Sequence, residues 1–308
     1  MYIFYSTLKS HELPNYASIH NIEKKHPQTI IKHNSSAFEE KLYPYEFEDF
    51  DSQETKNVNV WLNQVLYAGL FKFKFRNTKF KVNIGLNLRE YYRNINDYLS
   101  ISKQKKLNYF IRGKELSKFL QIQDYCIYPN IYAQAIAFSR IINESEFILL
   151  KFGKDDFEGI YFDPTLNKEK QHYTLGPGVG EFLTDFNFEG PQNGGNPAEN
   201  KQSKQIETKI KFQSNQYIKN QILRKINKLI TLKPDASIVV VRDAAISPYV
   251  GDILASKIRS EKVKFVISEA NSIASEGLYL IDEFESLDSS HTKVGVAISK
   301  GKSIFTSK

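Results

Sequence analysis

The chain has 308 residues, 41% of them hydrophobic and 13% aromatic, so it can bury the cores of about two domains and is not intrinsically disordered. A single cysteine excludes a disulfide framework and a cysteine-rich zinc site, and no apolar run approaches the ~20 residues that span a bilayer. The net charge is +7, but the basic residues are scattered and do not alternate with aromatics, which disfavours direct DNA binding. Because the first residues also lack the pattern of a signal peptide, we expect a cytoplasmic protein without membrane contact.

In the first part of the chain, the sequence pattern predicts six short strands and two helices. Strands are predicted at 2–7, 15–22, 28–32, 80–85, 107–111 and 117–127, and helices at about 58–70 and 88–94. The helix at 58–70 is supported by apolar residues that recur on one face.

The stretch 125–163 contains the strongest pattern. A strand ends at Tyr128, and a helix follows from Ile131 to Ile142, with apolar residues at three- and four-residue steps. Strands at 147–152 and 157–162 then flank a polar turn at 153–156, which predicts a hairpin.

The rest of the chain predicts alternating helices and strands. After Gly176–Gly180 we expect a short helix through 186, a loop at 189–204, helices at 214–230, from 247 and at 272–281, and strands at 237–241 and 263–267. One face of the helix at 214–230 carries Ile218, Ile222, Ile226 and Leu229. Residues 282–308 predict a tail with at most one strand.

Several strings, in this order and spacing, resemble a known family. They are VNVWLNQVLYAGL, KVNIGLNLREYY, IYPNIYAQAIAF, EFILLKFGKDDFEGIYF, LGPGVGEFL, SIVVVRDAAISPYVGDIL and NSIASEGLYLI. Together they resemble the plasmid-segregation actins of the ParM/StbA type, within the actin/Hsp70 ATPase superfamily. The resemblance implies an α/β fold of two related domains, each a mixed sheet flanked by helices, around a central nucleotide cleft. We expect domain I at about 1–145, domain II at 146–281 and the tail at 282–308, with a return of the chain to domain I near the C-terminus left open.

The resemblance places the first phosphate loop directly after strand one, where the family has Asp and Gly. This sequence has Ser6, Thr7, Leu8 and Lys9 there, so the carboxylate and the glycine are both missing. At the strand-to-helix junction, the family's Glu, which orients the attacking water, corresponds to Asn130. An amide cannot accept a proton, although it can hold a water.

The other nucleotide-binding motifs also depart from the family pattern. In place of Asp-Leu-Gly-Gly-Thr-Thr, the second phosphate loop has Lys151, Phe152, Gly153, Lys154, Asp155 and Asp156. In place of a glycine run, the adenosine loop has Arg242, Asp243 and Ala244, whose side chains would occupy space near the base. Gly176 and Gly178 are consistent with a phosphate nest or, as we prefer, with a turn that starts a helix.

A lysine in place of the metal-organising Asp has a direct electrostatic consequence. Like charges ~4 Å apart cost several kcal/mol even at an effective dielectric of about 20, so Lys151 repels Mg²⁺, and we predict no metal site. Lys151, Lys154 and Arg242 are expected to pair with Asp155, Asp156 and Asp243. The alternatives are that these cations grip phosphate directly or that they are exposed.

These departures lead to one functional hypothesis and two alternatives. The favoured hypothesis is an actin-like protein that has lost nucleotide hydrolysis, requires no cofactor, and acts by self-assembly or by binding a protein partner. Any DNA would be reached through an adaptor. The first alternative is an active segregation filament with an atypical site that uses ATP or GTP, and the second is a monomeric adaptor that binds one protein partner.

Overall fold

The computed structural model describes residues 9–14, 31–33, 62–63, 66–67, 69–70, 78–96, 101–111, 114–142, 144–153, 155–181, 208–209, 211–242, 253–254, 256–258, 263–267, 270–284, 292–299 and 302–307. The chain divides into two compact units: unit 1 comprises Met1–Tyr5 and Gln134–Ile273, and unit 2 comprises Ser6–Ala133 and Ala274–Lys308. The division therefore falls inside two helices, near residues 133 and 273, and not at the predicted boundary near 145.

Unit 1 is built on a five-stranded sheet. Its strands are β6 (Phe147–Phe152), β7 (Asp156–Phe162), β8 (His172–Pro177), β9 (Ser237–Arg242) and β10 (Val263–Ile267). The order across the sheet is β10-β9-β6-β7-β8. The pairs β6–β7 and β7–β8 are antiparallel, whereas the pairs β6–β9 and β9–β10 are parallel. The predicted hairpin at 147–162 is confirmed, whereas β8 was not predicted.

A long helical segment covers one face of this sheet. Residues 211–217 are helical, Ile218–Ile222 form a π-helical turn, and helix α3 continues over Leu223–Leu232. The predicted apolar face is confirmed, because Ile218, Ile222, Ile226 and Leu229 are all buried against strand residues such as Leu150. The π-helical turn was not predicted.

Unit 2 is built on a seven-stranded sheet. Its strands are β1 (Lys9–Pro14), β2 (Ile31–His33), β3 (Lys79–Leu86), β4 (Gln104–Ile111), β5 (Lys114–Pro129), β11 (Thr292–Ser299) and β12 (Lys302–Ser307). The order is β1-β12-β11-β3-β5-β4-β2, with β11, β3 and β5 parallel and the other pairs antiparallel. Besides α3, the structure describes helices α1 (Leu88–Asn96), α2 (Asn130–Ile142) and α4 (Ala270–Phe284).

The prediction of a tail at 282–308 is corrected by β11 and β12. Both strands lie inside the sheet, and Val294, Val296, Ile304 and Phe305 are buried. The sequence signal was weak because Gly, Ala, Ser and Thr interrupt the apolar residues, and some of these polar residues, such as Ser303, are buried as well. The segment belongs to unit 2 by its contacts.

The N-terminal prediction is mostly untested. The predicted strands at 2–7 and 15–22 lie outside the described residues, as does the loop at 189–204. The described strand β1, Lys9–Pro14, lies between the two predicted strands and was not itself predicted. Among the helices that the structure describes, none has the length and apolar character needed to cross a membrane.

Candidate functional site

The turn between β6 and β7 is tight and is closed by its own backbone. The amide of Gly153 donates a hydrogen bond to the carbonyl oxygen of Asp156 at 3.0 Å. A Cβ atom on residue 153 would lie 2.9 Å from the same oxygen, so the close approach favours glycine. Gly153 is therefore a turn residue, as the sequence predicted. Lys154 lies outside the described residues.

Lys151 is engaged in an ion pair. Its Nζ lies 2.8 Å from Oε2 of Glu158, which is directly opposite on β7. The Glu158 side chain is 0% exposed and that of Lys151 is 15% exposed. Among the described residues, the partner of Lys151 is thus Glu158, and the predicted pairing with Asp155 or Asp156 is corrected. A buried ion pair of this kind leaves the lysine little freedom to grip a ligand.

The glycine segment after β8 bonds to the same turn. The amide of Gly178 donates to the carbonyl of Asp155 at 3.0 Å, and the amide of Val179 donates to the carbonyl of Gly153 at 3.1 Å. Two amides that would cradle phosphate in a nest are therefore already bonded to the protein. A short 3-10 helix, Val179–Glu181, begins here, in agreement with the turn interpretation.

Gly176 has a packing role beneath the helical segment. A Cβ atom at this position would lie 3.1 Å from Cδ1 of Ile222 and 3.2 Å from Cδ of Lys225. The helix is anchored to β8 next to it, because Lys225 Nζ donates to the carbonyl of Leu175 and the Tyr217 hydroxyl donates to that of Pro177. Gly176 thus lets the helix approach the strand.

The adenosine-loop position Arg242 ends β9 at the same edge of the unit 1 sheet. Residue 242 pairs in register with Phe152, immediately before Gly153. The sequence-predicted stretches at 151–156, at 176–180 and at residue 242 are therefore brought together within unit 1. Asp243 and Ala244 lie outside the described residues.

Asn130 lies in unit 2, at the first position of α2. Its side chain is 1% exposed, and its Nδ2 donates to the carbonyl of Ile298 at 3.3 Å. Its Oδ1 has no hydrogen-bond partner among the described residues. A buried amide oxygen that accepts no hydrogen bond destabilises the protein unless a water or a ligand donates one to it. Asn130 is therefore a candidate ligand-contacting residue.

Of the predicted first phosphate loop, the structure describes only Lys9. Ser6, Thr7 and Leu8 lie outside the described residues, but Lys9 pairs with Ser307 at one end of β1. On the other side of β12, Thr306 pairs with Gly295 of β11, so Ser307 and Lys9 lie level with Val294. Val294 is four residues before Ile298. At about 3.3 Å per residue this separation is ~13 Å along the strand direction.

Sequence reasoning missed Glu158, although a signal for it existed. Once the turn is placed at 153–156, antiparallel pairing of Phe152 with Phe157 necessarily sets Lys151 opposite Glu158. For metals, the described residues contain no group of three or more His, Cys, Asp or Glu side chains placed to hold an ion. At the described part of the unit 1 edge, the amides of Gly153, Gly178 and Val179 are bonded to backbone carbonyls, Lys151 pairs with Glu158, and Oδ1 of Asp156 is buried and accepts no hydrogen bond from the described residues.

Comparison with known proteins identifies the fold. No protein-family model matches the chain, and no curated protein matches it. The crystal structure of Ta0583, an archaeal actin homolog, is 11% identical, with a TM-score of 0.53 over 89% of this chain and 91% of that one. Its complex with ADP is 10% identical, with a TM-score of 0.50 over 85% and 90%. A filament structure of Alp12 is 16% identical, with a TM-score of 0.49 over 84% of both chains. With two mixed sheets flanked by helices and this likeness to Ta0583, the chain has an actin-like fold.

Proposed function

We propose that this protein is an actin-like assembly protein that neither hydrolyses nor requires a nucleotide. The observation that carries the proposal is the buried pair of Lys151 and Glu158, 2.8 Å apart, at the position where the family has a metal-organising carboxylate. A cation at this position opposes Mg²⁺, and its pairing opposes a direct role in gripping phosphate.

The bonded amides support the same proposal. Phosphate sites on turns rely on backbone N–H groups that point at the ligand. The amides of Gly153, Gly178 and Val179 are all used within the protein. A phosphate group could bind these amides only after their hydrogen bonds to backbone carbonyls were broken. This edge of the unit 1 sheet is therefore not preorganised to bind phosphate.

Self-assembly is proposed from the fold and from the resemblance to segregation actins. In such a protein, assembly cannot be driven by turnover, so the polymer or oligomer forms and persists in nucleotide-free buffer. The role we propose is in segregation of plasmid or phage DNA, with DNA reached through an adaptor.

One observation favours an active filament as the second candidate. The orphan Oδ1 of buried Asn130 is able to hold a water where the family's Glu orients one. Ta0583, which shares the fold, has been crystallised with ADP. In this second function, ATP or GTP is bound at an atypical site and turned over.

The experiment that tests self-assembly is sedimentation and electron microscopy over a concentration series, after removal of residual nucleotide with apyrase. We expect particles or filaments that form without nucleotide and are unchanged by Mg-ATP or Mg-GTP. Assembly that requires nucleotide would support the active filament. Protein that stays monomeric at every concentration would contradict self-assembly and support the adaptor alternative.

A further inference from the structure

Strand β8 is the outermost described strand on its side of the unit 1 sheet, and one of its edges faces away from β7. An open strand edge carries N–H and C=O groups to which a strand of another chain can pair. Pro177 pairs with Asp156, and the next amide along β8, that of Gly178, donates to the carbonyl of the residue before Asp156. This bond marks a non-hydrogen-bonded pair, and the two kinds of pair alternate along an antiparallel ladder. The carbonyls of Leu175 and Pro177 therefore point away from β7, toward the outer edge.

Two side chains from the helical segment occupy these outward carbonyls. Lys225 Nζ donates to the carbonyl of Leu175 at 2.6 Å, and the Tyr217 hydroxyl donates to that of Pro177 at 2.8 Å. The Tyr217 side chain is buried, and Pro177 has no N–H group to offer to an incoming strand. A strand that paired regularly with β8 would need both carbonyls as acceptors, so it would first have to displace both side chains.

The π-helical turn brings the two donors to one side of the helical segment. Tyr217 and Lys225 are eight residues apart, which in a regular α-helix is about 80° more than two full turns. The amide of Leu223 donates to the carbonyl of Ile218, five residues earlier, so this turn takes up one residue more than an α-helical turn. The spacing then corresponds to about seven α-helical residues, close to two full turns, and both side chains reach the same strand edge.

We propose that Tyr217 and Lys225 form a latch that closes the outer edge of the unit 1 sheet against strand addition by a second copy of this chain. Once opened, the edge pairs with β8 of another copy, because antiparallel pairing of two identical strands satisfies both edges at once. The latch has a fixed seat, since a Cβ atom on Gly176 would lie 3.2 Å from Cδ of Lys225. The latch goes beyond the proposed function and is independent of nucleotide.

One consequence of the latch does rest on the proposed function. Without turnover, no nucleotide cycle dissolves a wrong contact, so the closed edge keeps β8 out of the assembly. In the assembled parent, amide hydrogen exchange over residues 172–177 should therefore equal the exchange in the dispersed protein. Slower exchange over these residues in the assembled parent would place β8 in the assembly contact and overturn this consequence.

The latch itself is tested by the double variant Tyr217→Phe with Lys225→Met, which keeps the ring and the aliphatic stem but removes both donors. Circular dichroism first verifies the fold, and sedimentation with thioflavin T fluorescence then compares the double variant with the parent over a concentration series. Loss of the two hydrogen bonds should lower the concentration at which half of the protein sediments as thioflavin-positive material about tenfold or more. Amide exchange over residues 172–177 should also slow in that material. A double variant that sediments like the parent would overturn the latch.

Two matched variants control for the substitutions. Lys228→Met removes an exposed lysine three residues further along the same helix, and Tyr173→Phe removes a hydroxyl on β8 that donates to the carbonyl of Lys168. Both should sediment like the parent, and an effect as large as that of the double variant would overturn the latch.

A second comparison applies if the double variant does not fold. Lys225→Met is then compared with Lys225→Arg, which retains a donor and should behave like the parent. Equal sedimentation of these two variants would overturn the latch. A parent that never assembles would instead contradict the proposed function, and the comparison between variants would still decide the latch.

Discussion

Lys151 and Glu158 face each other across β6 and β7, and the lysine Nζ lies 2.8 Å from a glutamate oxygen that belongs to a fully buried side chain. Removal of one partner from a buried pair leaves the other charge without compensation, whereas removal of both is often neutral or stabilising. The stability of the single and double variants therefore distinguishes a structural ion pair, which shows this asymmetry, from a lysine that serves to bind a ligand, which does not.

Lys151→Met should therefore destabilise the protein by about 3–5 kcal/mol, because the buried carboxylate of Glu158 loses the cation that lies 2.8 Å from it. The double variant Lys151→Met with Glu158→Leu should recover most of that loss. Urea unfolding of the parent, both single variants and the double variant gives the coupling free energy directly. Additive effects of the two substitutions would contradict a buried pair.

Only part of this site could be predicted from the sequence. Hydrophobic periodicity located α2 and the β6–β7 hairpin, and the turn residues located Gly153, because these signals are local along the chain. The partner of Lys151 depended on strand register, which follows from the turn but was not worked out.

The position of β11 and β12 depended on contacts between distant parts of the chain. Their apolar residues are interrupted by Gly, Ala, Ser and Thr, so neither strand has a strong pattern of its own. The parallel pairing of β11 with β3 joins residues about 210 positions apart, and no local signal reports such a pairing. The sequence singled out Asn130, but its neighbour at Ile298 was not foreseen for this reason.

A pH dependence is expected from Glu146. The Tyr161 hydroxyl donates to this carboxylate at 2.6 Å, and this bond, followed by Lys233 at 3.2 Å, lowers the pKa of Glu146 below its ordinary value of 4.5. A lowered folded-state pKa contributes stability above the ordinary pKa and loses it as the pH falls through the lowered value. The parent should therefore exceed Glu146→Gln in stability near neutral pH, and the two should converge in acid.

The measurement is the free energy of unfolding of both proteins from about pH 7 to about pH 3. Tyr161→Phe removes the main donor and should reduce the pH-dependent difference while retaining the ring. A difference between the parent and Glu146→Gln that is constant with pH would contradict this role for the carboxylate.

A side chain at Gly85 is expected to destabilise the protein because Asn130 and Leu278 occupy the space. A Cβ atom at residue 85 would lie 2.1 Å from Oδ1 of Asn130 and 2.7 Å from Cδ1 of Leu278. Gly85→Ala should cost about 1–3 kcal/mol through overpacking. Thermal unfolding should show a smaller loss when Asn130→Ala is added, because the shorter side chain makes room. Gly176→Ala, where the nearest atom is 3.1 Å away, is the milder control. Equal losses for Gly85→Ala in the presence and absence of Asn130 would contradict the contact.

The central claim is that the protein does not turn over nucleotide, and phosphate release measures this most directly. Mg-ATP and Mg-GTP are each incubated with the parent and with the Lys151→Met, Glu158→Leu double variant, after circular dichroism has shown both to be folded. We predict no release above the protein-free blank for either protein. Steady release by the parent that is lost in the double variant would contradict the account and assign Lys151 to a phosphate-gripping active site.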